Sequence, residues 1–68
     1  MKISARNQIR GRDAAIVPGA VNGSLKVDIG NGILVTANIT QEAIADLDPA
    51  EGDTVTVFVK ARDVLIGK

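Results

Sequence analysis

The chain has no cysteine, histidine, tryptophan or tyrosine, and its single phenylalanine is Phe58. Each absence closes a route. Without Cys there is no disulfide framework, and without Cys or His there is no structural zinc site and no obvious direct metal ligand. A nucleophile–base pair has few candidates either, so the composition argues against an enzyme. A Ser4–Lys60 dyad can be drawn, but nothing in the sequence supplies a substrate pocket for it. One aromatic ring cannot line a groove on which bases stack, and eight basic residues are cancelled by eight acidic ones. An OB-type nucleic-acid module is therefore a poor reading. No apolar run reaches the ~20 residues of a membrane helix, and no signal peptide precedes the fold. The expectation is a cytoplasmic protein with no membrane partner.

What remains is one small domain spanning residues 1–68, with 46% hydrophobic residues. Its core must be built from Val, Ile, Leu and Ala. So short a chain buries a modest share of its surface, and with no staple available the route left to stability is association. The balanced charge is also segregated. Lys2, Arg6, Arg10 and Arg12 occupy the first twelve residues with no acid among them, whereas Glu42 to Asp53 is negative.

The organising stretch is Ile3-Ser4-Ala5-Arg6-Asn7-Gln8. In an extended strand Ser4 and Arg6 point one way, and Ile3 and Ala5 the other. A hydroxyl and a guanidinium over an apolar back face present donors suited to an anion. The spacing predicts a long first strand from Lys2 to about Val17, bent or bulged at Gly11 and ended by Pro18-Gly19. Leu25, Val27 and Ile29 alternate with Lys26 and Asp28 as a half-buried strand. Asn31-Gly32 supplies the positive φ values of a type I′ hairpin turn. The return strand puts Ile33, Val35, Ala37 and Ile39 on one face. Thr40 then caps a two-turn helix, Gln41–Leu47, whose Ile44 and Leu47 can plug one end of a barrel. After the Asp48–Asp53 turn, Val55, Val57 and Val59 alternate with Thr54, Thr56, Phe58 and Lys60. A fifth strand, Val64–Ile66, closes the domain. Phe58, on the polar parity of its strand, fits a place against a partner or beneath the first strand.

Ile3-Ser4-Ala5-Arg6-Asn7-Gln8-Ile9-Arg10-Gly11 resembles the opening motif of the molbindins, small proteins that bind molybdate and tungstate. Val59-Lys60-Ala61-Arg62-Asp63-Val64-Leu65-Ile66 resembles their second signature. Gly19–Leu25 and Val35–Thr40 fall where that family has its middle strands, so the likeness covers essentially the whole chain. It implies an all-β, OB-fold-like five-stranded barrel with one short helix between strands 3 and 4. It also implies a homo-oligomer, typically a hexamer arranged as a trimer of dimers, that binds the oxyanion in the cell for storage and homeostasis. The ligand is then molybdate or tungstate, with no organic cofactor. A regulatory oxyanion-sensing domain, related to those of molybdate transporters or regulators, is the alternative.

By the same resemblance Ser4, Ala5, Arg6, Thr40, Lys60 and Ala61 form one oxyanion site where two subunits meet, with Ser4 and Arg6 of one chain facing Lys60 of the other. Arg offers a planar fork of donors, Lys a compact charge, Ser and Thr a rotatable hydroxyl, and the small Ala5 and Ala61 close backbone approach. Helix capping alone accounts for Thr40 on the sequence pattern, and solvation for Lys60. A second class of site maps onto Gly19, Ala20, Val21 and Asn22. There the chain departs from the family pattern, continuing Gly23-Ser24-Leu25-Lys26 where relatives usually place an acidic residue before Val. A cage of donors discriminates against monohydrogen phosphate, whose buried O–H would lack an acceptor at a cost of ~1–3 kcal/mol. Sulfate, without a proton, has to be excluded by size.

Overall fold

The computed structural model describes residues 3–68. Strands β1 (Asn7–Val17), β2 (Asn22–Asp28) and β3 (Leu34–Thr40) lead into helix α1 (Gln41–Leu47) and strand β4 (Thr54–Val59). A 3-10 turn at Ala61–Asp63 follows. The four strands form one antiparallel sheet in the order β3-β2-β1-β4.

β1 joins the two halves of this sheet. Asn7 to Arg12 lie opposite Val59 to Thr54 of β4, and Arg12 to Val17 lie opposite Asp28 to Ser24 of β2. Arg12 is common to both ladders, so the sheet curls there into a half-barrel. The bulge lies one step further on, where the register shifts between Asp13 and Ala15 and leaves Ala14 as the extra residue. Gly11, expected to carry the bend, pairs regularly with Val55. Its glycine answers a close approach, because a Cβ there would sit 2.7 Å from both the Asp28 carbonyl and Val27 Cγ1. Strand β1 begins at Asn7, part-way through the opening motif, so Ile3 to Arg6 precede it. The expected start at Lys2 lies outside the described residues. Ser4 and Arg6 are exposed and Ala5 is buried, as the alternation requires, but Ile3 is half in solvent.

Period-two burial holds through the hairpin. Leu25 and Val27 are buried between exposed Lys26 and Asp28, and Val35, Ala37 and Ile39 are half-buried opposite them. Asn31 (φ 55°) and Gly32 (φ 73°) take the positive angles that Asn-Gly predicts, and Gly30 joins them at φ 105°. Ile33 belongs to this turn, not to β3, with its N–H donating to the Gly30 carbonyl at 3.0 Å, and it is exposed rather than inward.

The Thr40 hydroxyl accepts from the Ala43 N–H at 3.1 Å and caps α1. Its other end is closed by Asp48 in the left-handed region, whose N–H donates to the Ile44 carbonyl at 2.8 Å. Ile44 is buried, but Leu47 is 71% exposed, so the plug is Ile44 with Leu47 left at the rim.

Among the described residues there is no fifth strand. The turn at Ala61–Asp63 takes the chain off the end of β4, and Val64–Ile66 joins no strand, leaving Leu65 and Ile66 each 90% exposed. The architecture is all-β: four curled strands and one short helix in OB-like order. Its interior opens as a concavity of about 490 Å³, lined by Leu25, Val27, Ile39, Val55, Phe58 and two acids, Asp13 and Asp53. Phe58 borders this concavity and is half-buried, although its ladder partner Gln8 is exposed. Among the described residues, no helix is long and apolar enough to cross a membrane.

Candidate functional site

The β1–β4 ladder positions most of the predicted site. Its last pair is Asn7–Val59, so Arg6 and Lys60 each lie one residue beyond it, at the same end of the same two strands. Ser4 and Ala5 precede Arg6, and Ala61 follows Lys60 into the 3-10 turn. Two further bonds fix this end. Asn7 Nδ2 donates to the Val59 carbonyl at 3.1 Å, and Gln8 Nε2 to the Ala5 carbonyl at 3.3 Å. Arg6, Ser4, Lys60 and Ala61 are exposed, and Ala5 is 8% exposed beneath them. Two cations and a hydroxyl on small neighbours, held by a ladder, can receive an anion of two charges.

Thr40 stands elsewhere. It ends β3 opposite Asn22, the first residue of β2, and β2 reaches β1 through the pair Ser24–Val17. Within one chain it therefore lies at the far end of the eleven-residue β1 from Arg6 and Lys60. Its neighbours are the residues of the predicted second site. The Gln41 N–H donates to the Val21 carbonyl at 2.7 Å, and Gln41 Oε1 accepts from the Gly19 N–H at 3.0 Å. Gly19, Ala20, Val21, Asn22 and Thr40 thus share one corner, with Val21 75% exposed. The capping bond uses a lone pair of the Thr40 oxygen and leaves its proton free to donate.

Two residues of consequence escaped the sequence reading. Asn7 has the pattern of an ordinary strand residue, although its side chain ties β1 to β4 beside the two cations. Asp13 carried no reading, yet it is the buried charged residue among the described ones, 2% exposed. Counting by twos from Ile9 through Gly11 places it inward, which was the available signal. Burial, and secondly the Asp53 charge, push its carboxyl above the usual 3.8. No group of three or more His, Cys, Asp or Glu among the described residues could hold a metal ion.

The TOBE domain family model matches residues 3–66. The chain belongs to the TOBE domain family. Within it, this TOBE chain is 39% identical over 66 residues to molybdenum-pterin-binding protein 3 of Clostridium pasteurianum, covering 97% of each chain. It is 36% identical over 67 residues to a probable molybdenum-pterin-binding protein of Haemophilus influenzae, covering 98% of this chain and 97% of that one. A molybdate-binding protein from Sporomusa ovata has the same fold, with a TM-score of 0.92, 40% identity and full coverage of both chains. The molbindin likeness of the two terminal motifs is therefore a likeness of the whole domain.

Proposed function

We propose that this TOBE chain binds molybdate or tungstate in sites shared between copies of itself, in a cytoplasmic homo-oligomer that stores the anion and buffers its level. The hexamer, a trimer of dimers, is the assembly proposed, and binding rather than catalysis is its role. The observation that carries the shared site is the split described above. Five of the six candidate residues stand at one end of β1 and Thr40 at the other, so a second copy is needed to bring them onto one anion. The register further favours Arg6 and Lys60 of the same chain acting together, with Thr40 supplied by the second copy. Pairing Arg6 with a partner's Lys60 is the competing arrangement.

Assembly is supported by what the lone chain leaves in water. Leu65, Ile66, Leu47 and Val21 are each more than two-thirds exposed, and the half-barrel is open. Surface of this kind marks an interface. The relatives' names couple molybdenum with a pterin, but the donors gathered here suit a bare tetrahedral dianion. A pterin ring would look for an aromatic face, and the chain offers one aromatic residue, Phe58, which is half-buried.

Calorimetric titration tests the reading. Molybdate and tungstate should give saturable heat in excess phosphate and sulfate, and native mass spectrometry should find six chains before ligand is added. Equal competition by sulfate would remove the selectivity, and silence toward every tetrahedral anion would remove the function.

A further inference from the structure

Asp13 belongs to none of the anion donors. Neither of its carboxylate oxygens has a hydrogen-bond partner, although both are shut off from solvent. Its backbone is clamped in place: the Asp13 N–H donates to the Asp53 carbonyl at 3.0 Å, and its carbonyl accepts from the Gly52 N–H at 2.7 Å. Asp53 is fixed in turn, because its Oδ2 accepts from the Ala50 N–H at 2.8 Å. Two carboxyl groups thus line one apolar concavity, the inner one unpaired.

The other walls offer no relief. β2 presents Leu25 and Val27, β3 Ala37 and Ile39, and α1 Leu47. The turn and β4 add Pro49, Asp53 and the run Thr54, Val55, Thr56 and Phe58, so Asp53 is the one other titratable group among the lining residues. A buried carboxylate without donors is far less favourable than the neutral acid, and a second acid nearby widens the gap. Both oxygens are already out of contact with water, and covering the concavity moves water further away, which favours the neutral acid still more.

We propose that closure of the half-barrel by a second copy is proton-linked through Asp13, so that the assembled domain holds an additional proton on each chain and is favoured as the pH falls. The proposal rests on the homo-oligomer reading. The occupant is a second copy because this chain leaves an apolar end, Val64–Ile66, exposed and unpaired. The sign follows from linkage. A carboxyl whose folded pKa is raised binds protons more readily in the folded form, so stability falls as pH rises from 3.8 through the raised value. That direction is opposite to the usual one for a salt-bridged acid.

Thermal unfolding and sedimentation of wild type, Asp13→Val and Asp53→Asn between about pH 8 and about pH 5 test it. The wild-type midpoint should rise by several degrees on acidification, with tighter association. Asp13→Val should lose that rise and melt at about pH 8 no lower than wild type does at about pH 5. Asp53→Asn should keep a smaller rise, since burial alone remains. Dissociation measured calorimetrically in two buffers of different ionisation enthalpy should release a proton from wild type and none from Asp13→Val. A stable oligomer whose midpoint is flat or falls on acidification, or an Asp13→Val slope equal to wild type, overturns the proton linkage and leaves the assembly intact. The falling midpoint is what a partner cation on Asp13 would give. A monomer at every pH overturns the linkage and the assembly together.

Discussion

Asn7 and Val59 are joined twice, as partners across the β1–β4 ladder and by the bond from Asn7 Nδ2 to the Val59 carbonyl at 3.1 Å. That second bond lies next to Arg6 on one strand and Lys60 on the other. It is exposed, so its loss in Asn7→Ala should lower stability by no more than ~1 kcal/mol. Its effect on oxyanion affinity should be larger than its effect on folding, because it sets the spacing of the two cations. Asn7→Asp should be worse for binding, since it adds a negative charge and opposes a carbonyl with a carboxylate. Urea unfolding and molybdate titration of both variants separate the two effects. An Asn7→Asp affinity equal to wild type would place the anion elsewhere.

Gly23 is the seat of the helix on the sheet. A Cβ there would meet the end of the Ile44 side chain and lie 2.9 Å from the Val17 carbonyl. Gly23→Ala should therefore destabilise by ~1–3 kcal/mol, as overpacking does in a close-packed core. Shortening the neighbour in Gly23→Ala/Ile44→Val should recover part of the loss, and the double-mutant cycle should show a favourable coupling. The Val17 carbonyl does not yield, so recovery stays incomplete. Full additivity of the two substitutions would mean that Ile44 does not rest on Gly23.

How much of this was legible in the sequence depends on what each feature answers to. The β2–β3 hairpin and the Thr40 cap are local, so alternation, Asn-Gly and a hydroxyl before a helix were enough. The bulge at Ala14 leaves no mark, because the extra residue of a bulge need not be glycine. Asp13 was hidden by its own type, since an acid inside a small barrel contradicts the usual sorting. Val64–Ile66 reads as a strand because it is apolar, but a pattern cannot say whose sheet will take it. The terminal motifs named five residues that stand at one end of the β1–β4 ladder, whereas the distance of Thr40 from them emerged only from the register through β1 and β2.

Leu65 and Ile66 turn that last point into a measurement. In an isolated chain both are 90% exposed, and a charge at either position would change stability by no more than ~0.5 kcal/mol. If a second copy covers them, Leu65→Asp should break the assembly and lower the melting midpoint well beyond that figure. Light scattering on a sizing column reads the mass, and melting at two protein concentrations reads the linkage to association. An unchanged hexamer with an unchanged midpoint would show that this end stays in solvent.

The arrangement of the anion site can be decided by mixing chains. Arg6→Ala removes a charge-assisted bond worth ~1.5–3 kcal/mol, roughly tenfold to over a hundredfold in affinity. Thr40→Val removes a neutral donor worth ~0.5–1.5 kcal/mol, roughly twofold to tenfold, and loosens the cap of α1, which Thr40→Ser should restore. Each homo-oligomer should be impaired at every site. In a mixed dimer with Arg6 and Lys60 from one chain and Thr40 from the other, one site collects both lesions. The other then combines an intact Arg6 with an intact Thr40, and wild-type affinity should reappear at one site per mixed dimer. Were Thr40 in the same chain as its Arg6, every site would keep one lesion and no wild-type affinity would return. Mixing Arg6→Ala with Lys60→Ala is the control: on the same-chain arrangement proposed above, which the register favours, no tight site should be recovered. Recovery in that control, with mixed dimers confirmed by native mass spectrometry, would instead place Lys60 across the subunit boundary from Arg6.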